Sequence, residues 1–275
     1  MVKSLPEQVR KSVEAALLGI GVWASGSCVA ATEGTSSLSR SSFDSHRRIP
    51  HSSVAQGDGV GILKAKLSCA TERYAHGVLG DAVEAGCLVV EDELQTVYQL
   101  HLPDNQVFED LDPRIADIDN DGRNDVVLVR SDARRGAGLS VYTLRQNEAA
   151  TELLELASTP EIGTSNRWLA PVGIADFNND GRQDIAYVQT PHIGGILKVW
   201  SIVDGELQQI AESRGFSNHS IGSTRVSTAR LEDYNDDGVI DMALPDQGRQ
   251  ETVWLTLYPD FTVLDTKPYS ESHFD

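Results

Sequence analysis

From residue 59 onward, apolar residues come in short runs, alternating or continuous, separated by glycine, asparagine, aspartate and proline. No stretch carries the three-to-four-residue apolar spacing of a long amphipathic helix, so the pattern predicts strands. These strands fall into groups of four. One group reads RIADI, DVVLVRS, LSVYTL and TELLELA; the next reads VGIADF, DIAYVQT, ILKVWSI and LQQIAES. A third reads TARLEDY, DMALP, TVWLTLY and FTVLD. A less regular group, YAHGVLGD, GCLVVED, QTVYQLHL and QVFED, comes before them. GILKAKLS (61–68) offers one more strand, either the edge that closes a ring or part of a fifth group.

Four antiparallel strands recurring at a fixed step, each unit too small to bury both faces alone, predict an all-β fold. The expected form is a β-propeller of about four to five four-stranded blades over residues 58–275. Ring closure would remove the sheet edges that otherwise invite aggregation. The rival arrangement is a stack of open sheets or a pair of sandwiches.

Between the first two strands of three groups lies a near-copy of one acidic loop: DIDNDGRND (117–125), DFNNDGRQD (176–184) and DYNDDGVID (233–241), at steps of 59 and 57 residues. Positions 1, 3, 5 and 9 carry Asp or Asn and position 6 is always Gly, which permits the sharp turn with positive φ. Ten aspartates and two asparagines at these positions would repel strongly without a counter-ion. An oxygen-only donor set without His or Cys selects Ca²⁺ over zinc or copper. An EF-hand starts in the same way, but position 12 here is Leu128, Tyr187 or Leu244 rather than Glu, and strands follow in place of a helix. The alternative is that these turns serve only to keep the surface soluble. Asp81, in the irregular group, starts a shortened loop that lacks the other acidic positions and is expected to hold no metal.

With DIDNDGRND followed by VVLV, and with its two copies, the chain resembles the FG-GAP/VCBS repeats of integrin α-subunit propellers and of many exported bacterial proteins. RYAHGVLGD, NRWLAPVGIADFNNDGRQDIAYVQTPHIGG and GFSNHSIG are similar to one bacterial branch of that family. The resemblance implies about three structural calcium ions with ligands at matching positions. Loop one would use Asp117, Asp119, Asp121 and Asp125 with the Arg123 carbonyl. Loop two would use Asp176, Asn178, Asp180 and Asp184 with the Arg182 carbonyl. Loop three would use Asp233, Asn235, Asp237 and Asp241 with the Val239 carbonyl. Asn in place of Asp at position 3 removes a charge, so loops two and three are expected to bind more weakly.

Charge narrows the choice of partners. Lys+Arg 23 against Asp+Glu 41 gives a net −18, which argues against a nucleic acid or an anionic membrane surface. At the N-terminus, Lys3, Arg10 and Lys11 precede a short apolar stretch (15–24), and Val29-Ala30-Ala31 fits a cleavage site. Residues 1–31 are expected to be an export signal, with an uncleaved amphipathic helix or anchor as the alternative because Glu14 interrupts the run. No integral membrane span is expected, and the mature chain would be periplasmic, secreted or at the cell surface. The Ser-rich residues 32–57 read as a flexible leader. Cys69 and Cys87 would remain, either as a disulfide in an oxidising compartment or as two buried thiols.

The segments that lead into the first strands, TERY (71–74), SNRW (165–168) and SNHS (217–220), must lie at the end opposite the acidic loops. Arg73, Tyr74, Arg167, Trp168 and His219 would gather there as a platform for a sugar acid or a peptide carboxylate. The plainer alternative has Asn166 and Asn218 capping turns while Trp168 packs between blades and His192 sits in a turn. With no GxSxG, HExxH or CxxC present, the expected function is a non-catalytic module that binds an extracellular or periplasmic protein or glycan. The alternative is a propeller enzyme, a polysaccharide lyase or hydrolase, with His219 or His76 as general base and Arg167 as carboxylate clamp. A purely structural part of a surface assembly is a third possibility.

Overall fold

The computed structural model describes residues 42–148 and 150–274. The stretch expected to be an export signal lies outside the described residues. Within them, regular structure is almost entirely strand, and no helix is long and apolar enough to cross a membrane.

The two later repeats form as their patterns predict. Strands β10 (Leu169–Ala175), β11 (Asp184–Gln189), β12 (Ile196–Val203) and β13 (Glu206–Arg214) make one antiparallel sheet in chain order. Strands β14 (Arg230–Glu232), β15 (Asp241–Pro245), β16 (Glu251–Thr256) and β17 (Thr262–Pro268) make another. In each, the second strand is apolar at consecutive positions because both of its faces are covered, whereas the outer strand β13 is mostly exposed or half-buried.

The first two repeats merge. β1 (Val54–Gln56), β2 (Ile62–Thr71), β3 (Glu84–Asp92) and β4 (Val97–His101) form one antiparallel group. β6 (Arg114–Ala116), β7 (Asp125–Asp132), β8 (Gly136–Gln146) and β9 (Thr151–Ser158) form the next. The short β5 (Gln106–Phe108) pairs with the start of β3 and the end of β7, joining both groups into a single nine-stranded sheet.

Three expectations are corrected here. YAHGVLGD is a series of turns, and its place in the first group is taken by β2, the GILKAKLS run. Asp81 is therefore not at the acidic-loop end. β2 begins beside loop one, where Gly61 bridges Asn124, so the link from β2 to β3 that contains Asp81 lies at the other end. The described part of the stretch read as leader is also packed rather than free. Phe43 and Ile49 are buried, Lys66 lies over the Phe43 ring at 4.1 Å, and β1 pairs with β2. Apolar Phe43, Ile49 and Val54 are spaced too widely in a Ser-rich background to signal this from periodicity.

One hydrophobic cluster runs through the first, second and third groups, and a second runs through the third and fourth. Contact between neighbouring sheets is close: a Cβ placed on Gly173 would come within 2.4 Å of Leu231 Cδ1 in the next sheet. The Gly222 N–H donates to the Val78 carbonyl at 2.9 Å, joining the segment ahead of the fourth group to the link within the first.

Candidate functional site

The three acidic loops share one set of backbone-to-carboxylate bonds. In loop one the Asp117 carboxylate accepts from the Asp121 and Gly122 N–H groups at 3.1 and 2.8 Å, and Asp121 accepts from the Arg123 N–H at 2.8 Å. Loop two repeats this with Asp176, Asp180, Gly181 and Arg182 at 3.0, 2.8 and 3.0 Å. Loop three repeats it with Asp233, Asp237, Gly238 and Val239 at 3.0, 2.9 and 2.9 Å. The chain passes through the left-handed region at position 4 (Asn120, Asn179, Asp236) and at the position-6 glycine, with φ of 85–88° at Gly122, Gly181 and Gly238. This is why the turn is written with asparagine or aspartate at position 4 and glycine at position 6.

Position 9 is the informative one. Asp125, Asp184 and Asp241 open the second strands and are fully buried. One oxygen of each accepts from the position-2 N–H, of Ile118, Phe177 or Tyr234, at 3.0–3.2 Å. The other oxygen, Oδ1 in all three, is buried without a hydrogen-bond partner. Burial pushes the Asp125 carboxyl up to about 7 and Asp184 up to about 6, and raises Asp241 as well. A hydroxyl on the facing strand, from Thr143, Ser201 or Thr256, opposes this rise without reaching full hydrogen-bond geometry.

A buried, unpaired carboxylate oxygen costs upward of about 1–3 kcal/mol, and three in register are not an accident of packing. In loop one, carboxylate oxygens of Asp117, Asp119 and Asp125 lie within 4.8 Å of one another. Loops two and three have Asn178 and Asn235 at the third position. The donors present fit a hard divalent cation.

At the opposite end a cavity of about 190 Å³ is framed by His76, Arg167, Trp168, His192, Ile193 and Ile221. They come from the β2–β3 link, the lead-in to β10, the β11–β12 link and the lead-in to β14. His76 Nδ1 lies 2.5 Å from Oε1 of Glu109, whose side chain has no exposure. Ser131 Oγ donates to the other oxygen of Glu109, and Trp168 Nε1–H donates to its backbone carbonyl at 2.9 Å. Burial raises the Glu109 pKa, with His76 as the main opposing influence.

His192 is held from behind. His219 Nε2 lies 3.0 Å from the Ser223 carbonyl, which only accepts, so that nitrogen carries the proton. Burial pushes the His219 pKa down to about 4, so its Nδ1 is a bare acceptor at neutral pH. His192 Nε2–H therefore donates to it at 3.0 Å, and because burial lowers the His192 pKa as well, its Nδ1 is left as a lone-pair acceptor. Trp168 packs edge-on to His219 at 4.7 Å between ring centres and parallel to His192.

The five residues expected at this end are thus divided. Arg167 is exposed at the cavity, and Trp168 lines it although it is 2% exposed. Tyr74 is one layer behind: its hydroxyl accepts from the Asn166 N–H at 2.9 Å, and burial pushes its pKa up to about 12. His219 is 1% exposed with both nitrogens engaged, so it positions His192 and does not face a ligand. Arg73 is not at the cavity. It caps the Leu102 and Gln106 carbonyls and pairs with Asp104 at 3.7 Å. Nearby, Cys69 and Cys87 form a disulfide, and His101 Nδ1 sits 3.1 Å from Cys87 Sγ.

Glu109, Ser131 and the facing hydroxyls escaped the sequence reading. The hydroxyls did leave a trace, as the polar residue within the apolar third strands VYTL, VWSI and WLTL.

Residues 117–187 match the family model of the FG-GAP-like repeat, which bears out the resemblance from the first acidic loop to the strand after the second. No curated protein matches the chain. Among solved structures, the chain is similar to the exotype rhamnogalacturonan lyase YesX at 12% identity and a TM-score of 0.42. The match covers 78% of this chain and 43% of the lyase, so the chain spans less than half of that protein's length.

Proposed function

We propose that this chain is an exported, calcium-stabilised β-propeller module that binds a protein or glycan and performs no chemistry on it. The observation that carries the metal reading is the buried, unpartnered Oδ1 of Asp125, Asp184 and Asp241, repeated in three superposable loops. Calcium would supply the positive charge these oxygens lack. The chain's own part is to fix the loop: the backbone N–H groups hold Asp117, Asp176 and Asp233, and the position-2 N–H aims the position-9 carboxylate. Each aspartate at position 9 begins the second strand of its group, so an ion there would tie the hairpin together. The propeller reading is supported by four four-stranded groups and by the Gly222–Val78 bond that links the first to the last.

The test pairs shape with single-loop variants. Small-angle scattering in calcium buffer is expected to give a compact disc. Asp125→Asn, Asp184→Asn and Asp241→Asn are each expected to abolish one ion and to lower the calcium-dependent part of the melting temperature. An elongated particle, or variants that melt like the parent with and without calcium, would remove the basis of the reading.

One observation favours a second reading, an enzyme of the lyase or hydrolase type. A fully buried carboxylate on His76 Nδ1 is the arrangement that orients an imidazole as a general base. Product formation from polysaccharides that is lost in His76→Ala would establish it. Binding without product supports the module.

A further inference from the structure

We propose that the cavity opposite the acidic loops is a binding site for a carboxylate-bearing sugar ring, a uronate. The proposal rests on the reading of the chain as a binding module and names the ligand class.

Charge is the first reason. In a chain of net charge −18, Arg167 is exposed at the cavity and has no carboxylate within ion-pair distance among the described residues. Its one hydrogen bond there goes to the neighbouring Asn166 carbonyl at 3.2 Å. The nearby acid, Glu109, is sealed behind His76 and Ser131 and does not compete for the guanidinium. A planar guanidinium with free donors is suited to a carboxylate.

Neutral polar groups supply the second reason. A carboxylate alone needs the cation and little else, yet Asn166, Thr190 and His192 also line the space. His192 Nδ1 is an acceptor fixed by the chain of bonds through His219 to the Ser223 carbonyl. An acceptor held in one tautomer, beside an amide and a hydroxyl, matches adjacent sugar hydroxyls. Because it is fixed before the ligand arrives, less ordering is required on binding.

The walls and the size complete the match. Seven large hydrophobic side chains are exposed among the described residues, and two of them, Ile193 at 63% and Ile221 at 73%, flank this one cavity. They offer an apolar surface to the C–H face of a pyranose. A volume of about 190 Å³ has room for a single ring.

The experiment is calorimetric titration of the full chain in calcium buffer with glucuronate, galacturonate, glucose, galactose and an N-acetylated dipeptide with a free carboxylate. A uronate is expected to bind at least tenfold more tightly than its neutral parent. Arg167→Ala should erase that preference, and Arg167→Lys should restore part of it. Ile193→Ser with Ile221→Ser should weaken the uronate severalfold, while melting temperature and calcium content stay unchanged in all variants. Equal binding of neutral sugar and uronate, tighter binding of the dipeptide, or no binding at all by a calcium-loaded, folded chain would overturn the proposal and leave the calcium module standing. A chain that neither holds calcium nor forms a compact disc would instead bring down the module reading itself.

Discussion

The two ends of these sheets handle buried acids in opposite ways. At one end, Asp125, Asp184 and Asp241 are buried with an oxygen left over, and in loop one the Asp117 and Asp119 carboxylates lie close to Asp125. At the other end, Glu109 and Asp110 are equally buried, but His76, Ser131 and Arg114 complete them from within the chain. A protein that completes Glu109 and Asp110 from within at one end has left three aspartate oxygens open at the other, in the same way each time. That difference is what the calcium proposal accounts for: under it, the open oxygens await a cation from outside.

Removing that outside component should produce the largest effect. Three sites each held at about a hundred times its dissociation constant would contribute roughly 8 kcal/mol, so chelation should lower the melting temperature by on the order of 15 °C. Calorimetric scans with and without chelator would show it. An unchanged melt would erase the contrast between the ends.

The cavity end has its own staple. The Cys69–Cys87 bond spans a sequence separation of 18, and replacing both cysteines by serine should cost about 3 kcal/mol in denaturant unfolding. That loss should be the same with and without calcium, since the bond lies away from the loops.

A proton marks the cavity end more finely. Glu84 is 1% exposed, and burial, helped by Glu109, pushes its carboxyl up to about 9. With the folded pKa above the unfolded one, the fold holds the proton while the unfolded chain releases it. Stability contributed by this group therefore falls as pH rises from about 4.5 to about 9. Glu84→Gln should leave stability near pH 4 almost unchanged and raise it progressively toward pH 8. A variant whose stability tracks the parent at every pH would place the burden elsewhere.

Last and smallest is the difference among the loops. Asn178→Asp and Asn235→Asp each add a charge where loop one already has Asp119, and each should tighten calcium severalfold at its own loop. Competition with a fluorescent chelator would resolve it.

The contrast between the ends also explains what the sequence disclosed. Each acidic loop is nine contiguous residues whose spacing, turn glycine and following strand are written in one place, so loops and strands β6 to β17 were legible. The cavity is assembled from segments far apart: His76 meets Glu109, and Asn166 meets Tyr74, only after the sheets have stacked. Arg167 and Trp168 were readable as a pair at the right end. His192 read as a turn residue because its partner His219 lies in another lead-in, and Glu109 read as a strand end because burial carries no local mark. The first group was misread because YAHGVLGD imitates the run-up to an acidic loop, while the pairing of β2 with β3 depends on register across a link of turns.

Titration of the metal-free chain with calcium, followed by calorimetry, tests the central claim most directly. About three calcium ions per chain should bind, with Asp125→Asn, Asp184→Asn and Asp241→Asn each losing one. A chain that takes up no calcium, or the same number in all three variants, would contradict the account.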